Sequence, residues 1–151
     1  MKHEFRAADH SWTGVEPRGY KASGERNGDG FSGVTKHVIS GDRGEPCGFE
    51  VRYFEVEPGG HTRLERHQHI HSVTVVRGTG YALVGAHVHP LRHLDHVYVP
   101  PMTLHQFVND GDEPFGFMCI VDSPRDKPQK ATPEDVAALE RDKATSGKVR
   151  A

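Results

Sequence analysis

The chain has 151 residues, a formal net charge of −2 and a hydrophobic content of 34%. This length fits one domain with a short appendage, and it is long enough to bury a core without disulfide bonds. The charge lacks the basic excess typical of nucleic-acid binding. No apolar run approaches the roughly 18 residues of a membrane span, and the N-terminus lacks an apolar secretion signal. We therefore expect a cytoplasmic protein that binds neither nucleic acid nor membrane.

The first third of the chain predicts an arm followed by a strand. Residues 1–33 are rich in Gly, Ser, Asp and Arg, which favour turns and loops. Residues 34–39 carry the β-branched pattern of a strand. The arm is expected to cover the domain that follows it or a partner subunit.

The middle of the chain is built from short apolar segments punctuated by Gly and Pro. Such spacing predicts a β-sandwich or a β-barrel, and no helical period interrupts it. The last segment is apolar on both faces, which together with the long arm predicts a homodimer. A turn is expected at Pro58–Gly60. The predicted strands cover residues 49–57, 64–69, 72–77, 81–84, 87–91, 97–99, 105–108 and 115–121.

The tail, residues 125–151, changes character and predicts a helix. Thr132 is a good N-cap, Pro133 suits the first helical position, and Glu134 and Asp135 place negative charge in the first turn. A helix of about three turns is expected near 133–143.

Histidine is the most unusual feature of the composition. The chain has 12 histidines, and most of them fall between His61 and His93. Glu65, His67, His69 and His71 would share one face of a straight strand. Imidazole nitrogens and a carboxylate together suit Zn, Fe, Mn, Ni or Cu.

The spacing around these residues resembles the first motif of the cupin family. That motif is glycine, five residues, His-x-His, three or four residues, glutamate, six residues and glycine. Here Gly59 is followed by five residues and Glu65-x-His67, then by three residues and His71, and then by six residues and Gly78. The resemblance implies an all-β, cupin-type double-stranded β-helix (jelly-roll) barrel over residues 34–124, with an N-terminal arm and a short C-terminal helix.

The second cupin motif is also matched. Asp95, Pro100-Pro101, His105 and Asn109 occupy its positions, although Leu94 replaces its glycine. A glutamate and a histidine have exchanged places in the first motif, so the ligand inventory of three histidines and one glutamate is preserved. The resemblance implies one divalent transition metal (Fe, Mn, Ni, Cu or Zn) with four ligands: Glu65, His67, His71 and His105.

Two alternatives concern neighbouring histidines. The resemblance places a turn between His67 and His71, which would hold His69 at the rim of the site. A four-histidine site that uses His69 in place of Glu65 is the competing interpretation. His87, His89, His93 and His96 are interpreted as an exposed hairpin rather than a second metal site. Of the two cysteines, both expected to be free thiols, Cys119 is interpreted as a small buried hydrophobe.

Cupins include dioxygenases, decarboxylases, isomerases, lyases and ligand-binding domains, so the resemblance leaves the reaction open. The first hypothesis is a metalloenzyme that acts on a small oxygen-bearing acid or phenol by oxygenation or metal-assisted bond cleavage, with Arg52 as partner of the substrate anion. The second is a non-catalytic metal-dependent ligand-binding or sensor module, and the third is a structural barrel with a vestigial site. Because neutral imidazole is the ligand, metal affinity is expected to fall below about pH 6.

Overall fold

The computed structural model describes residues 1–21 and 25–151, so residues 22–24 of the arm lie outside the described residues. The regular secondary structure of the described chain consists of strands and one short helix. Its first strands are β1 (Phe5–Arg6), β2 (Ser11–Trp12), β3 (Arg18–Gly19), β4 (Ser32–Ser40), β5 (Phe49–His61), β6 (Glu65–Arg66) and β7 (His71–Arg77). They are followed by β8 (Gly80–Val84), β9 (His87–Leu91), β10 (His96–Val99), β11 (His105–Val108), β12 (Phe115–Asp122), β13 (Gln129–Lys130) and α1 (Pro133–Arg141).

The sheet curls on itself because the long strand β5 pairs with strands on both sides of the barrel. On one side β5 pairs with β4 and with β12, and β12 continues through β7 to β10. On the other side β11 pairs with β8, which pairs with β9. The ends of β11 join the two sides, since Val108 pairs with His61 of β5 and His105 with Glu65 of β6. The all-β barrel with one short C-terminal helix is confirmed.

Alternation along the strands places the core inside this curl. Val73 and Val75 of β7 face Phe117, Cys119 and Val121 of β12 in one buried cluster. Removing such side chains from water supplies the main driving force of folding. Phe54, Phe107 and Phe117 of this cluster also line the cavity that opens near β6 and β11.

One sequence prediction about β5 is wrong. The turn predicted at Pro58–Gly60 would end the strand, but β5 runs through these residues to His61. Gly59 has a φ of 76°, and a Cβ on Gly60 would lie 2.6 Å from the carbonyl oxygen of Ser32. The glycines therefore bend a continuous strand and allow close backbone approach, and this bend carries β5 from one side of the barrel to the other.

The arm and the tail both pack on the barrel. Val15 and Phe31 of the arm are buried, and β3 pairs with β4. Thr132 caps the start of α1, as the sequence predicts, and Asp135 completes a reciprocal capping box with it. Asp135 also pairs with Arg66 at 2.9 Å, which fixes the helix against β6. In the described part of the chain, no helix is long and apolar enough to cross a membrane.

Asn109 of the second motif has a structural role in this fold. It is fully buried, donates to the carbonyl oxygens of Val56 (2.8 Å) and Glu113 (2.7 Å), and accepts from the backbone of Gly111. Its side chain therefore ties the loop after β11 to β5.

We expect Asn109→Ala to lower the free energy of unfolding by roughly 1–3 kcal/mol, because it leaves buried carbonyl oxygens without donors. Urea unfolding measures this change. The matched control is Asn27→Ala, since exposed Asn27 makes a single hydrogen bond to Gly33. Its effect is expected to stay below about 0.5 kcal/mol, and equal losses in the two variants would contradict the assigned role.

Candidate metal centre

A cavity of about 590 Å³ opens between the two sides of the barrel, near β6 and β11. The arm contributes Tyr20 and Lys21 to its lining. Its wall carries more positive than negative charge, which favours an anionic ligand. The ionisable lining residues other than histidine and cysteine are Lys21, Lys36, Arg52, Arg63, Arg125, Lys127 and Lys130, against Glu25 and Glu65, with Tyr20 beside them.

All five candidate ligands line this cavity. Glu65 lies on β6, His71 begins β7 and His105 begins β11. His67 and His69 lie in the turn between β6 and β7, which agrees with the turn expected there. All five side chains are buried, with exposures between 2% and 8%. Such burial is unusual for ionisable groups unless they are paired or bind a metal.

Hydrogen bonds fix which ring nitrogen of His67 and His105 carries the proton. The Nδ1 atom of His67 lies 2.7 Å from the carbonyl oxygen of His69, and that of His105 lies 2.9 Å from the carbonyl oxygen of Thr103. A carbonyl oxygen only accepts, so Nδ1 is the donor in both rings. Each neutral ring therefore presents the lone pair of Nε2, as metal-binding histidines do.

Asp126 accepts a hydrogen bond from Nδ1 of His69, and no sequence pattern predicted this role for Asp126. Its carboxylate accepts from Nδ1 of His69 at 2.6 Å and from the backbone amides of Gln68 and His69 at 2.8 and 3.0 Å. The backbone hydrogen bond to Gln68 is the main reason that the pKa of Asp126 lies below its usual value. Asp126 therefore orders the turn and orients His69, which stacks on His67 with 3.5 Å between ring centroids.

The distances between donor atoms fit a metal ion. The Nε2 atoms of His67 and His71 are 3.0 Å apart. Two nitrogens at about 2.0–2.1 Å from one metal at angles of roughly 90–110° would be about 2.9–3.4 Å apart. The described residues form two groups of three donors, and within each group the donor atoms lie within 4.8 Å of one another. One group is His67, His69 and His71, and the other is Glu65, His67 and His105, so His67 belongs to both while His71 is not grouped with Glu65 and His105.

Glu65 has a partner that the sequence did not predict. Both of its carboxylate oxygens accept hydrogen bonds from Nζ of Lys21, at 2.7 and 2.6 Å. The pair is nearly enclosed, with side-chain exposures of 12% for Lys21 and 7% for Glu65. Burial lowers the pKa of Lys21, and the charge of Glu65 opposes that shift. Lys21 lies in the arm, far from Glu65 in the chain, so no spacing pattern could have revealed the contact.

Burial keeps the cluster neutral at physiological pH. It lowers the pKa of His67 to about 4 and that of His105 to about 3, and it places the pKa of His71 well below the ordinary value. Positive charge on the neighbouring histidines adds to the effect. The rings are thus in the metal-binding form, and the pH at which metal affinity is expected to fall moves below about 6.

The other candidates from the sequence are placed differently. Cys119 is buried as expected, but it also lines the cavity, with its sulfur 3.2 Å from Nδ1 of His71. Burial raises the pKa of its thiol. His87 and His89 are stacked with 6.1 Å between centroids on the exposed hairpin of β8 and β9. Within the described residues, neither belongs to a group of donors close enough to hold a metal.

A curled β-barrel that holds a buried imidazole cluster has the architecture of a cupin-type barrel. A cupin domain model matches residues 52–121. A relative from Rhodospirillum rubrum, named 1-methylthio-D-xylulose 5-phosphate methylsulfurylase, is 42% identical over 139 residues, which cover 92% of this chain and 86% of the relative. The chain therefore belongs to the cupin superfamily.

Solved structures agree with this assignment. A cupin 2 conserved barrel domain protein from Rhodopseudomonas palustris is 36% identical, with a TM-score of 0.88 and complete coverage of both chains. A cupin-superfamily protein from Silicibacter pomeroyi, described as a sugar phosphate isomerase, is 27% identical, with a TM-score of 0.60 and coverage of 72% of this chain and 71% of that one.

We expect metal-free protein to lose stability as the pH falls from about 6.5 towards 4. Over that range the unfolded chain protonates its histidines, whereas His67 stays neutral in the folded state until about pH 4. The unfolded state then binds more protons, so acid favours unfolding. Urea unfolding of chelator-treated protein at several pH values measures the slope.

His67→Gln is expected to reduce this slope, because it removes one buried imidazole. His87→Gln serves as the matched control, since His87 is exposed on the hairpin. A slope that is the same in both variants and the parent would show that buried neutral imidazoles do not cause it.

Proposed function

We propose that this protein is a metal-dependent enzyme that cleaves a carbon–sulfur bond in a small phosphorylated ketose. The observation that carries the proposal is the convergence of buried, neutral imidazoles, with Nδ1 of His67, His69 and His105 held by acceptors, on one cavity rich in cations. The first feature suits a metal and the second suits an anionic substrate.

For the metal, we propose Glu65, His67, His71 and His105 as ligands. Glu65 and His105 are cross-strand partners on β6 and β11. His67 belongs to both groups of closely spaced donor atoms. When bound, a divalent metal supplies Lewis acidity that polarises a carbonyl oxygen and stabilises negative charge on it. Lys21 positions the Glu65 carboxylate, and Asp126 positions the turn that carries His67.

The proposed class of substrate, a phosphorylated ketose, is based on the names of two similar proteins. The name of the Rhodospirillum rubrum relative specifies a methylthio group and a phosphate on a five-carbon ketose, and the Silicibacter pomeroyi neighbour is described as acting on a sugar phosphate. In such a ketose the methylthio carbon is bonded to the carbonyl carbon. Breaking the carbon–sulfur bond leaves the electron pair on carbon, which takes a proton, and the methylthio sulfur passes to a thiol as a mixed disulfide.

The proposed ligand set predicts distinct metal contents for single variants. Glu65→Gln, His67→Ala and His105→Ala are expected to lose metal affinity by at least the roughly 10–100-fold that is lost when a residue behind a metal ligand is changed. His69→Gln is expected to retain most of the metal, as is the control His87→Gln. Elemental analysis of protein purified without added chelator provides the measurement.

The opposite metal contents in the Glu65→Gln and His69→Gln variants would change the assignment of the ligands. Metal retained in Glu65→Gln and lost in His69→Gln would establish the four-histidine site with His69. Metal content near zero in the parent protein would favour the vestigial barrel.

The proposed reaction is tested with 1-methylthio-D-xylulose 5-phosphate, a small thiol, and protein loaded in turn with Mn, Fe, Ni, Cu or Zn. We expect loss of the substrate and release of the methylthio group, followed by mass spectrometry, and no turnover by His67→Ala. Oxygen consumption without thiol dependence would instead support the oxygenase hypothesis. Tight binding of the ketose without turnover by any metal form would support the sensor module.

An exposed apolar row on the outer face of the sheet supports the predicted homodimer. Ile120 and Tyr98 are 44% and 54% exposed, and both lie in one row across the outer face of β12, β7 and β10. Burial of this row in a second copy would remove exposed apolar area from water. The homodimer stays a prediction.

A further inference from the structure

Arg52 is a buried cation whose hydrogen-bonding capacity is largely unused. It is only 6% exposed and lines the cavity from β5. Its Nε atom has no partner among the described residues, and its Nη2 atom meets only the weak acceptor Sγ of Cys119, at 3.6 Å. A buried guanidinium without an anion is costly, so its position points to a partner supplied by a ligand.

Lys36 places a second cation beside it. Lys36 lies on β4, and the register that pairs Val38 with Arg52 and Lys36 with Phe54 makes the two basic residues diagonal neighbours on adjacent strands. Its Nζ atom makes one long hydrogen bond, 3.4 Å, to the carbonyl oxygen of Tyr20. Burial and the charges of Arg52 and Arg125 lower its pKa to about 8. Lys36 has no carboxylate within 4.0 Å in the part of the chain that the structure describes.

Three of the other five cations that line the cavity have a carboxylate partner. Arg125 pairs with Glu50 at 2.9 Å, Lys21 pairs with Glu65, and Arg63 pairs with Glu25. Lys127 and Lys130 have no such partner among the described residues, but both are exposed to solvent. Lys36 and Arg52 are therefore the unpaired cations of the wall that are shielded from solvent. Their two charges match those of a phosphate monoester dianion, and guanidinium and ammonium are the usual groups that bind it.

We propose that Lys36 and Arg52 form the subsite that receives the phosphate group of the substrate. The inference deepens the proposed function and rests on it for the identity of the substrate. A single side chain separates this subsite from the candidate metal ligands, since Cys119 contacts both Arg52 and His71. A ligand as short as a five-carbon ketose phosphate spans the two, so its carbonyl end faces the histidines while its phosphate faces Lys36 and Arg52.

The subsite predicts that Lys36→Gln and Arg52→Gln each weaken binding of phosphate by roughly tenfold or more, the effect of one lost charge-assisted hydrogen bond. The probe is inorganic phosphate, titrated calorimetrically into the protein as purified. Arg18→Gln is the matched control, because it removes one positive charge from a residue that pairs with Asp42 and does not line the cavity. Its phosphate affinity is expected to equal that of the parent.

Two more measurements distinguish this subsite from phosphate bound to the metal and from a general carboxylate site. His67→Ala is expected to keep its phosphate affinity, whereas loss of binding in that variant would place the phosphate on the metal and overturn the proposal. Acetate is expected to compete poorly with phosphate for the subsite, and competition as strong as that of phosphate itself would overturn the phosphate assignment.

Thermal unfolding checks that each variant is folded. Should Arg52→Gln fail to fold, Arg52→Lys replaces it and is expected to weaken binding less than Lys36→Gln does.

Failure of the subsite and failure of the proposed function give different results. If the ketose is turned over, both Gln variants are expected to raise KM at least about tenfold and to leave kcat within about threefold. Suppose that the protein turns over no ketose phosphate but that phosphate binding depends on Lys36 and Arg52. This result would support the subsite and contradict the proposed reaction. Unchanged phosphate affinity in both variants overturns the subsite whatever the turnover.

Discussion

The site depends on the hydrogen bonds that hold Nδ1 of the buried histidines. His67 and His105 donate to backbone carbonyl oxygens, and His69 donates to Asp126. These contacts orient each ring and leave its Nε2 lone pair directed away from the backbone. Without them, buried imidazoles would rotate or protonate, and their lone pairs would not meet in one place.

The barrel creates this arrangement by bringing distant segments to one point. The bend of β5 at Gly59 and Gly60 lets the strand cross from one side to the other, and its last residue, His61, pairs with β11. β11 then lies beside β6, so His105 faces Glu65 across the strand pair. The core of Val and Phe side chains fills the remainder of the barrel. A polar, partly open cavity is therefore confined to one end, where water and a ligand have access.

Charge balance then divides the cavity into two regions. At the base, neutral imidazoles and the Glu65–Lys21 pair leave little net charge, which suits occupation by a cation that binds lone pairs. On the wall, Lys36 and Arg52 have no carboxylate partner within the described residues, which suits an anion. A phosphorylated substrate with a carbonyl group is complementary to both regions, and for that reason we prefer it to a simple phenol.

The sequence by itself determined the barrel class, most strand positions, the capped helix after Thr132 and the candidate donors Glu65, His67, His71 and His105. The barrel class, the strands and the capped helix follow from local periodicity and capping residues, which a linear sequence records directly. The four donors follow from the resemblance to the two cupin motifs. Only the tertiary structure decided that β5 continues through Pro58–Gly60, because Gly59 and Gly60 exchange backbone hydrogen bonds with Asn109 and pairing with β4 resumes at His61. It alone also brought Lys21 to Glu65, Asp126 to His69 and Lys36 to the side of Arg52. Those residues lie far apart in the chain or on different strands, and contacts between them arise from strand register and loop packing rather than from any local pattern.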